Sequence, residues 1–531
     1  MNILEFKYRE ADFGTYPPGL MYGLQVLDSW LYDENLPFIH IEADATFKSL
    51  REKINTDYFE KLVKKGLLDN KHKSIVIVTP SRGLVARDEE ELKNKLAEYK
   101  ASLSESEIKK LIDDTKELLA YQEEEDSPES LKCIPVLEIS DIKKKAEGYH
   151  NELREVGGYK ILYHPVHTNG IDYARIMFKA DRIPEKLFKY IGLLKSIMGL
   201  ISTENYSYQE LFNKIYIETG GIQPVINEYE RYDEDNKHII TFDWKGKCLE
   251  GSLGNVFELF AEIICRSKFD EKKRLFELIN EIKARNQSAL IGAGHIVAMQ
   301  SALSYISLGA AYEQIFGGLE GYRLVEAINK DFDAKKDEVI SSLIELSKCL
   351  FVKENVMFDF AGSEDEYEVF AKEALAFAQK LDNATDTYDV YVPVLEKKNE
   401  GFTSSSQVQY VCRAGNFLKS GLKYNGSLKV LKVIMGYDYL WNNIRVKGGA
   451  YGCMSGFGRN GDCYFVSYRD PNLKETLDIY NNEAPMADLP KKAPQMTQRE
   501  YFENVISLLR QASEKPETHK CAELFADTFK N

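Results

Sequence analysis

An internal repeat is the feature that most limits how this chain can fold. Tyr173 lies in a strand-like stretch, and Met198-Gly199 closes the helical stretch that follows it. Tyr410 and Met435-Gly436 repeat this arrangement with the same spacing. Self-similarity on this scale is typical of a duplicated supersecondary unit. The repeat therefore predicts two similar domains rather than one continuous fold.

A Gly-Gly pair follows each copy, at Gly220-Gly221 in the first and at Gly448-Gly449 in the second. The interval before this pair is longer in the first copy, which indicates an insertion there. Strand-like stretches alternate with helical stretches in both copies, which favours an α+β fold. We expect mainly antiparallel sheets with helices packed on them.

The clearest strand signals lie in the first copy. "YKILYHP" and "IDYARIMFKA" alternate in polarity, and the turn Thr168-Asn169-Gly170 separates them. Asn-Gly between two such stretches is a strong hairpin signal. The sequence therefore predicts that these two strands pair with each other.

Composition divides the chain into four predicted segments. Residues 1–83 hold three helical stretches and the strand "SIVIV", too little for a core of their own, which indicates the tail of a larger domain. Residues 84–154 begin with charged helical stretches almost without Gly and Pro, which predicts a helical-hairpin linker. Residues 155–387 and 388–531 are predicted to be the two α+β domains, the second opening with the strand "YDVYVPV".

Charge and cysteine usage exclude several classes of protein. The net charge of −15 argues against a general nucleic-acid binder, because phosphate binding needs clustered Lys and Arg. The eight cysteines include no C-x-x-C pair, and we interpret them as reduced thiols. Neither an N-terminal apolar stretch nor a long apolar run occurs, so we expect no signal peptide, no membrane partner and a cytoplasmic location.

The glycines Gly456, Gly458 and Gly461 match a dinucleotide-binding fingerprint. That fingerprint requires a helix after the glycines. Here the strand-like "DCYFVSY" follows instead, and Asn460-Gly461 is a favoured hairpin turn. The sequence therefore predicts a hairpin rather than a nucleotide site.

Metal-binding and nucleophile motifs are not found. His164 and His167 are separated by Pro165, which denies them the shared helix face that a metal pair needs, so we expect them to face solvent or stabilise a turn. His295 is expected to be packed and hydrogen-bonded. No H-x-x-E-H, G-x-S-x-G or P-loop motif occurs, and the carboxylates are too numerous to single out an acid–base pair.

Arg445 and Tyr451, in "IRVKGGAYG", are the remaining candidates. An Arg at a helix C-terminus can serve the helix dipole, and Tyr451 can be an ordinary strand tyrosine. Aligning the two Gly-Gly pairs places Ile217 opposite Arg445 and Gln223 opposite Tyr451, so the fold itself does not require Arg and Tyr there. From these residues alone, structural and functional interpretations both stay open.

A family resemblance adds to this picture. "SGLKYNGSLKVLKVIMGYDYLWNNIRVKGGAYG" resembles the C-terminal half of insulinase-type (pitrilysin) zinc metallopeptidases, in particular the presequence protease subgroup. "HTNGIDYARIMF" and "ETGGI" are similar to the matching places in the other domain of that half. "READFGTYPPGLMYGLQVLDSWLYD" resembles the end of the N-terminal half. The resemblance runs from about residue 8 to residue 480 and fades beyond.

The resemblance implies a clamshell of four α+β domains around a closed chamber. The family's zinc is held by an H-x-x-E-H motif and a downstream Glu in the first domain, and this chain lacks that domain. Residues 1–83 would then be a remnant of the second domain, and residues 155–387 and 388–531 would be the third and fourth. The chain itself would bind no cofactor. Zinc would belong to an N-terminal catalytic half, either covalently attached or separate.

The resemblance also assigns roles to individual residues. Tyr451 would be catalytic and substrate-binding, Arg445 substrate-binding, and Gly448 and Gly449 would form the turn that supports them. None would bind metal. The implied function is degradation of unfolded peptides by the assembled enzyme, and we expect this chain alone to be inactive. The alternative is a non-catalytic peptide-binding or scaffolding homologue.

Overall fold

The structure is a computed structural model that describes residues 2–123, 127–133, 151–180, 182–230, 238–386, 388–403 and 408–481. Its described residues form two compact units. One contains residues 2–47 together with the described residues beyond 137, and the other contains the described residues between 48 and 133. Nearly all of residues 481–531, where the resemblance fades, lies outside the described part.

The N-terminal residues are mainly helical. Their helices are α1 (Asn2–Glu10), α2 (Pro18–Trp30), α3 (Asp44–Lys53), α4 (Tyr58–Val63) with a π-helical turn at Lys64–Leu68, α5 (Leu84–Ser102), α6 (Glu105–Glu123) and α7 (Pro128–Leu131). The two long helices α5 and α6 lie where the sequence predicts a helical hairpin. The strand predicted at "SIVIV" is wrong for this structure, because residues 74–78 have no ladder partner among the described residues and Ile75 to Val78 are 80–90% exposed.

A six-stranded sheet organises the next part of the chain. Its strands are β1 (Glu152–Val156), β2 (Tyr159–Pro165), β3 (Ile171–Lys179), β4 (Gly221–Glu230), β5 (His238–Leu249) and β6 (Val356–Gly362), in the order β1-β2-β6-β3-β5-β4. All neighbouring strands are antiparallel except β2 and β6, which run parallel.

The predicted hairpin between β2 and β3 is wrong, although both strands are present. The turn forms as expected, since Asn169 and Gly170 take φ of 54° and 76°. However, β6 lies between the two strands and pairs with both of them. The turn signal predicts that β3 lies next to β2. In the structure β6, which is distant in sequence, occupies that position instead.

The helices of this part of the chain pack on the sheet or on one another. They are α8 (Glu185–Phe188), α9 (Ile191–Ile197), α10 (Tyr208–Glu218), α11 (Leu253–Arg266), α12 (Lys272–Gly292), α13 (Gly294–Ser304), α14 (Leu308–Phe316), α15 (Leu319–Lys330), α16 (Phe332–Leu350) and α17 (Glu364–Ala378). Strand alternation places Ile176, Phe178, Phe242 and Trp244 in the core, all fully buried. The start of α10 is fixed locally, because Ser207 and Glu210 form a capping box.

The second repeat contains a three-stranded sheet in the described residues. Its elements are β7 (Cys412–Asn416), α18 (Ser427–Ile434), a π-helical segment (Met435–Val446), β8 (Gly452–Phe457), β9 (Asp462–Tyr468) and α19 (Lys474–Asn481). The strand order β7-β9-β8 reproduces the order β3-β5-β4 of the first repeat, again antiparallel. The inserted residues of the first repeat separate α9 from α10, whereas α18 runs directly into the π-helical segment.

The α+β fold class predicted from sequence is confirmed. The strand predicted at "YDVYVPV" is not formed, because residues 388–394 have no ladder partner in the described residues. The four segment boundaries remain predictions.

Candidate functional site

The turn after the π-helical segment positions the candidate residues. The Gly449 N–H donates to the Arg445 carbonyl at 2.9 Å, and the Ala450 N–H donates to the Ile444 carbonyl at 3.1 Å. Gly449 has φ of 78°, the left-handed conformation in which glycine avoids the strain of a side chain. These bonds satisfy carbonyls at the helix end and turn the chain sharply into β8.

Gly448 is required for a different reason. A Cβ at this position would lie 2.6 Å from the Ile444 carbonyl oxygen and 3.0 Å from that of Asn443. The Asn472 side chain donates to the Gly448 carbonyl at 2.6 Å and braces the turn from the other side. The close approach of helix end and turn therefore depends on the absence of a side chain at residue 448.

Arg445 and Tyr451 are brought together by this turn. The Arg445 Nη1 group donates to the Tyr451 backbone carbonyl at 2.6 Å. The Arg445 guanidinium lies 4.1 Å from the centre of the Trp441 ring and 5.4 Å from that of Tyr451. A guanidinium stacked on an aromatic face and bonded to a carbonyl is held in place before any ligand arrives.

The Tyr451 side chain faces solvent and is 64% exposed. Its ring meets Tyr468 edge-on at 5.8 Å, and Tyr468 in turn meets His295 of α13 at 4.8 Å. The Tyr451 hydroxyl has no hydrogen-bond partner among the described residues. The site therefore presents an oriented phenol and a fixed guanidinium on an open surface.

The equivalent place in the first repeat is covered. A Cβ on Gly220 would lie 2.4 Å from the ring of Phe6 of α1, which is fully buried there. The Asn2 side chain donates to the Thr219 carbonyl at 3.0 Å. Ile217 and Gln223, the counterparts of Arg445 and Tyr451, are both exposed. The Gly-Gly turn of the second repeat is thus open to a ligand, whereas the Gly-Gly turn of the first repeat is covered by α1.

The glycine fingerprint forms a hairpin, as the sequence predicts. Gly461 takes φ of 86°, and the Gly458 N–H donates to the Asp462 carbonyl at 2.7 Å between β8 and β9. No helix begins at these glycines, so they cannot cradle a pyrophosphate at a helix N-terminus.

The histidines serve local structure. His164 lies within 3.2 Å of Asp359 and 2.7 Å of Asn151, and His167 bonds the Asn169 side chain of the turn. His295 is packed on Tyr468, but its buried Nδ1 has no hydrogen-bond partner in the described residues, contrary to expectation. Within the described ranges, no group of three or more His, Cys, Asp or Glu side chains could hold a metal.

A buried carboxyl group in the first repeat was not predicted from the sequence. Asp172 of β3 is fully buried, and neither of its carboxylate oxygens has a hydrogen-bond partner in the described residues. Burial, together with the charges of Glu366 and Glu250, raises the pKa of Asp172 to about 7. Burial, with the charges of Asp172 and Glu366, also raises the pKa of the neighbouring Cys248 thiol. The available signal was an acid near the start of a mainly apolar strand.

The buried Asp172 predicts a pH-dependent stability. The folded protein holds a proton on Asp172 that the unfolded chain releases near pH 4, so stability falls as pH rises from about 4 to about 7. Asp172→Asn should therefore raise the free energy of unfolding by about 2 kcal/mol at pH 8 and by little at pH 4. Urea unfolding at both pH values measures this. Asp365→Asn, at an exposed position of the same helix as Glu366, is the control, and an equal gain at pH 4 and 8 would contradict the assignment.

Comparison with known proteins places the chain in a class. A family model for the region associated with subfamily C of the M16 peptidases matches residues 78–328, and a model described as "PreP C-terminal domain" matches residues 399–519. The chain belongs to the M16 peptidase family. A solved structure described as a peptidase M16 inactive domain from Pseudomonas fluorescens is 13% identical, with a TM-score of 0.43 over 72% of this chain and 94% of that chain.

Two relatives narrow the assignment. Protein HypA of Clostridium perfringens is 38% identical over 91% of this chain and 49% of HypA. Presequence protease 1, chloroplastic/mitochondrial, of Arabidopsis thaliana is 29% identical over 91% of this chain and 45% of that protein. Within the M16 family, the chain corresponds to the C-terminal half of a presequence-protease-type peptidase. It spans about half the length of the curated relatives that it matches.

No helix in the described ranges is both long and apolar enough to cross a membrane.

Proposed function

We propose that this chain supplies substrate-binding and transition-state residues to a zinc metalloendopeptidase that degrades unfolded peptides. The observation that carries the proposal is the pairing of Arg445 with Tyr451. The phenol is exposed and uncommitted among the described residues, and the guanidinium holds the backbone from which it projects. Family membership supports the same conclusion. The described part of the chain offers no zinc ligand set, so we assign the metal to the N-terminal catalytic half.

Tyr451 acts in this proposal as a hydrogen-bond donor. A phenol beside the scissile carbonyl can donate to the oxyanion that develops there, an interaction typically worth about 10²–10³ in rate. Since its hydroxyl has no competing partner in the described residues, no internal bond has to break first. The edge contact with Tyr468 limits the directions in which the ring can turn.

Arg445 acts in this proposal as a positioning group for the peptide. One of its N–H groups is engaged by the Tyr451 carbonyl, and the others can donate to a carbonyl of the substrate backbone. The stack on Trp441 fixes the plane of the guanidinium, so less freedom is lost when a peptide binds. Arg445 would therefore link the position of the bound peptide to the position of the Tyr451 phenol.

Reconstitution tests the proposal. The chain is produced alone and together with a polypeptide corresponding to the preceding half of Clostridium perfringens HypA. A basic unfolded peptide is the substrate, because the net charge of −15 favours a cationic partner. We expect hydrolysis only by the combined halves and its loss with a chelator. Tight stoichiometric zinc in the purified chain alone would contradict the assignment of the metal.

The same experiment addresses the non-catalytic alternative. Trp441 is 39% exposed beside Arg445, and its fluorescence reports peptide binding to the chain directly. Of the other two tryptophans, Trp244 is buried and Trp30 is exposed. Trp30→Phe therefore leaves Trp441 as the one exposed tryptophan. Peptide binding without hydrolysis by the combined halves would favour a peptide-binding or scaffolding protein.

A further inference from the structure

Arg469, beside the turn that carries Tyr451, has a backbone conformation that arginine seldom adopts. Its φ is 49°, in the left-handed region. In this region the Cβ of an L-residue crowds its own backbone, whereas glycine adopts the same conformation without strain. Strain of this kind clusters at active sites and ligand-binding sites, where the surrounding structure holds it in place. The conformation therefore indicates that the Arg469 side chain has a role of its own.

The strained conformation belongs to a β-bulge opposite Tyr451. The Tyr451 N–H donates to the Tyr468 carbonyl at 3.0 Å and to the Arg469 carbonyl at 3.3 Å, so two residues of one strand face one residue of the other. Regular pairing of β8 with β9 begins at Gly452, opposite Tyr468. Bulges next to active sites re-aim side chains. The bulge that strains Arg469 is therefore also the structure that places Tyr451.

The Arg469 side chain is exposed and adds a second guanidinium to the candidate site. Its guanidinium lies 5.5 Å from the centre of the Tyr468 ring, and that ring meets the Tyr451 ring at 5.8 Å. The Arg445 guanidinium lies 5.4 Å from the centre of the Tyr451 ring. The exposed phenol thus has one guanidinium against its own ring and another against the neighbouring ring.

The two guanidiniums of this surface form no ion pair with a carboxylate in the described part of the chain. The acid that follows Arg469 is Asp470, which is fully buried and accepts from the Asn472 N–H at 2.9 Å and from the Thr476 hydroxyl at 2.8 Å. Residues 439–461 hold three basic residues and no acidic one, in a chain of net charge −15. The surface around the phenol is therefore locally positive on an acidic protein.

We propose that Arg469 is a further substrate-binding residue and that it binds a carboxylate of the peptide. The inference rests on the proposed function, because it concerns the surface that carries Tyr451. A guanidinium presents paired N–H donors in one plane, and these match the two oxygens of a carboxylate. In a peptide that carboxylate is either an Asp or Glu side chain or the C-terminus. The overall charge would attract basic peptides at long range, and Arg469 would select those with an acidic group at one position.

Peptide binding to the chain, followed by Trp441 fluorescence in the Trp30→Phe background, tests the inference. The probe is the basic unfolded peptide in three forms: with a free C-terminus, as the C-terminal amide, and as a set of amides in which one Gln-to-Glu replacement is moved along the peptide. At least one form that carries a carboxylate should bind at least about fivefold more tightly than the plain amide. Added salt should weaken this preference. Equal affinities of all forms would overturn the proposal.

Variants of Arg469 show whether this side chain is responsible. Arg469→Gln retains the strained backbone and removes the charge, so the preference for the carboxylate should disappear while binding of the plain amide changes by less than about threefold. Arg469→Gly should also remove the preference, without lowering the midpoint of urea unfolding, because glycine relieves the strain. If Arg469 has only a structural role, both variants will lower that midpoint and leave the preference unchanged.

Arg459→Gln is the matched control. Arg459 is also exposed, lies in the turn between β8 and β9, and is not among the residues with positive φ. This variant should keep the preference for the carboxylate. An equal loss in Arg459→Gln and Arg469→Gln would show that the preference comes from the general charge of the surface and would reject the assignment to Arg469.

The outcomes separate this inference from the proposed function, because the binding assay requires neither zinc nor the other half. If the chain prefers the carboxylate through Arg469 but the combined halves do not hydrolyse the peptide, the inference holds and the proposed activity is wrong. If the combined halves hydrolyse all forms with the same kcat/KM and the chain shows no preference, the inference alone is wrong. A chain that binds none of the forms, alone or combined with the other half in a chelator, would reject the inference as well.

Discussion

Tyr451→Phe is expected to lower the turnover number of the assembled enzyme by at least about tenfold. The variant removes the one group that can donate to the oxyanion from this position, and loss of such a donor typically costs about 10²–10³. Stability should not change, because Tyr451 is 64% exposed and its hydroxyl has no partner in the described residues. Steady-state kinetics with the basic peptide and the melting temperature of the chain measure the two effects.

A matched control comes from the π-helical segment. Tyr437 is 54% exposed and lies outside the turn that carries Arg445, so Tyr437→Phe should leave turnover unchanged. A loss in kcat with little change in KM indicates an interaction made only in the transition state. If Tyr451→Phe behaves like Tyr437→Phe, Tyr451 is an ordinary surface tyrosine at the start of β8.

Gly448→Ala is expected to damage both stability and activity. Its Cβ would lie 2.6 Å from the Ile444 carbonyl oxygen, and backbone atoms cannot rotate away as a side chain can. We expect the free energy of unfolding to fall by about 1–3 kcal/mol, as in other overpacked sites. The substitution would also shift the turn and with it Tyr451. A displacement of a catalytic group by about 1 Å can cost about 10²-fold in rate. Urea unfolding and peptide hydrolysis provide the two measurements.

Gly452→Ala is the control for this substitution. A Cβ on Gly452 would meet its nearest neighbour, the Tyr468 Cβ, at 3.9 Å, which is an ordinary contact. The control should therefore retain stability and most of the turnover. Wild-type turnover in Gly448→Ala would show that the placement of Tyr451 does not depend on the close approach of the turn to the helix.

Much of the local structure could be predicted from the sequence. "YKILYHP" coincides with β2, and the Asn-Gly turns at Gly170 and Gly461 both form. These elements depend on residues close together in the chain, whose alternation and backbone preferences are readable directly. The α+β class followed from the same patterns. The two copies of the repeat share the strand orders β3-β5-β4 and β7-β9-β8, and their division into two domains stays a prediction.

The candidate site was predictable for a similar reason. Arg445 and Tyr451 flank one Gly-Gly turn, so a sharp turn at these glycines brings them near each other. The bond from the Arg445 guanidinium to the Tyr451 carbonyl and the stack on Trp441 were not predicted, because they depend on side-chain conformations. Asp172 was missed because its burial depends on Gly362 and Glu366, which reach it from distant parts of the chain.

The sequence by itself determined most of the elements, the turns and the pair of residues at the second Gly-Gly turn. Tertiary structure decided that β6 separates β2 from β3, that Phe6 covers the first Gly-Gly turn, and that Asp172 is enclosed. The physical reason is the range of the interactions. Turn and strand preferences act between neighbouring residues, whereas strand order and burial depend on surfaces that meet only after the whole chain has folded.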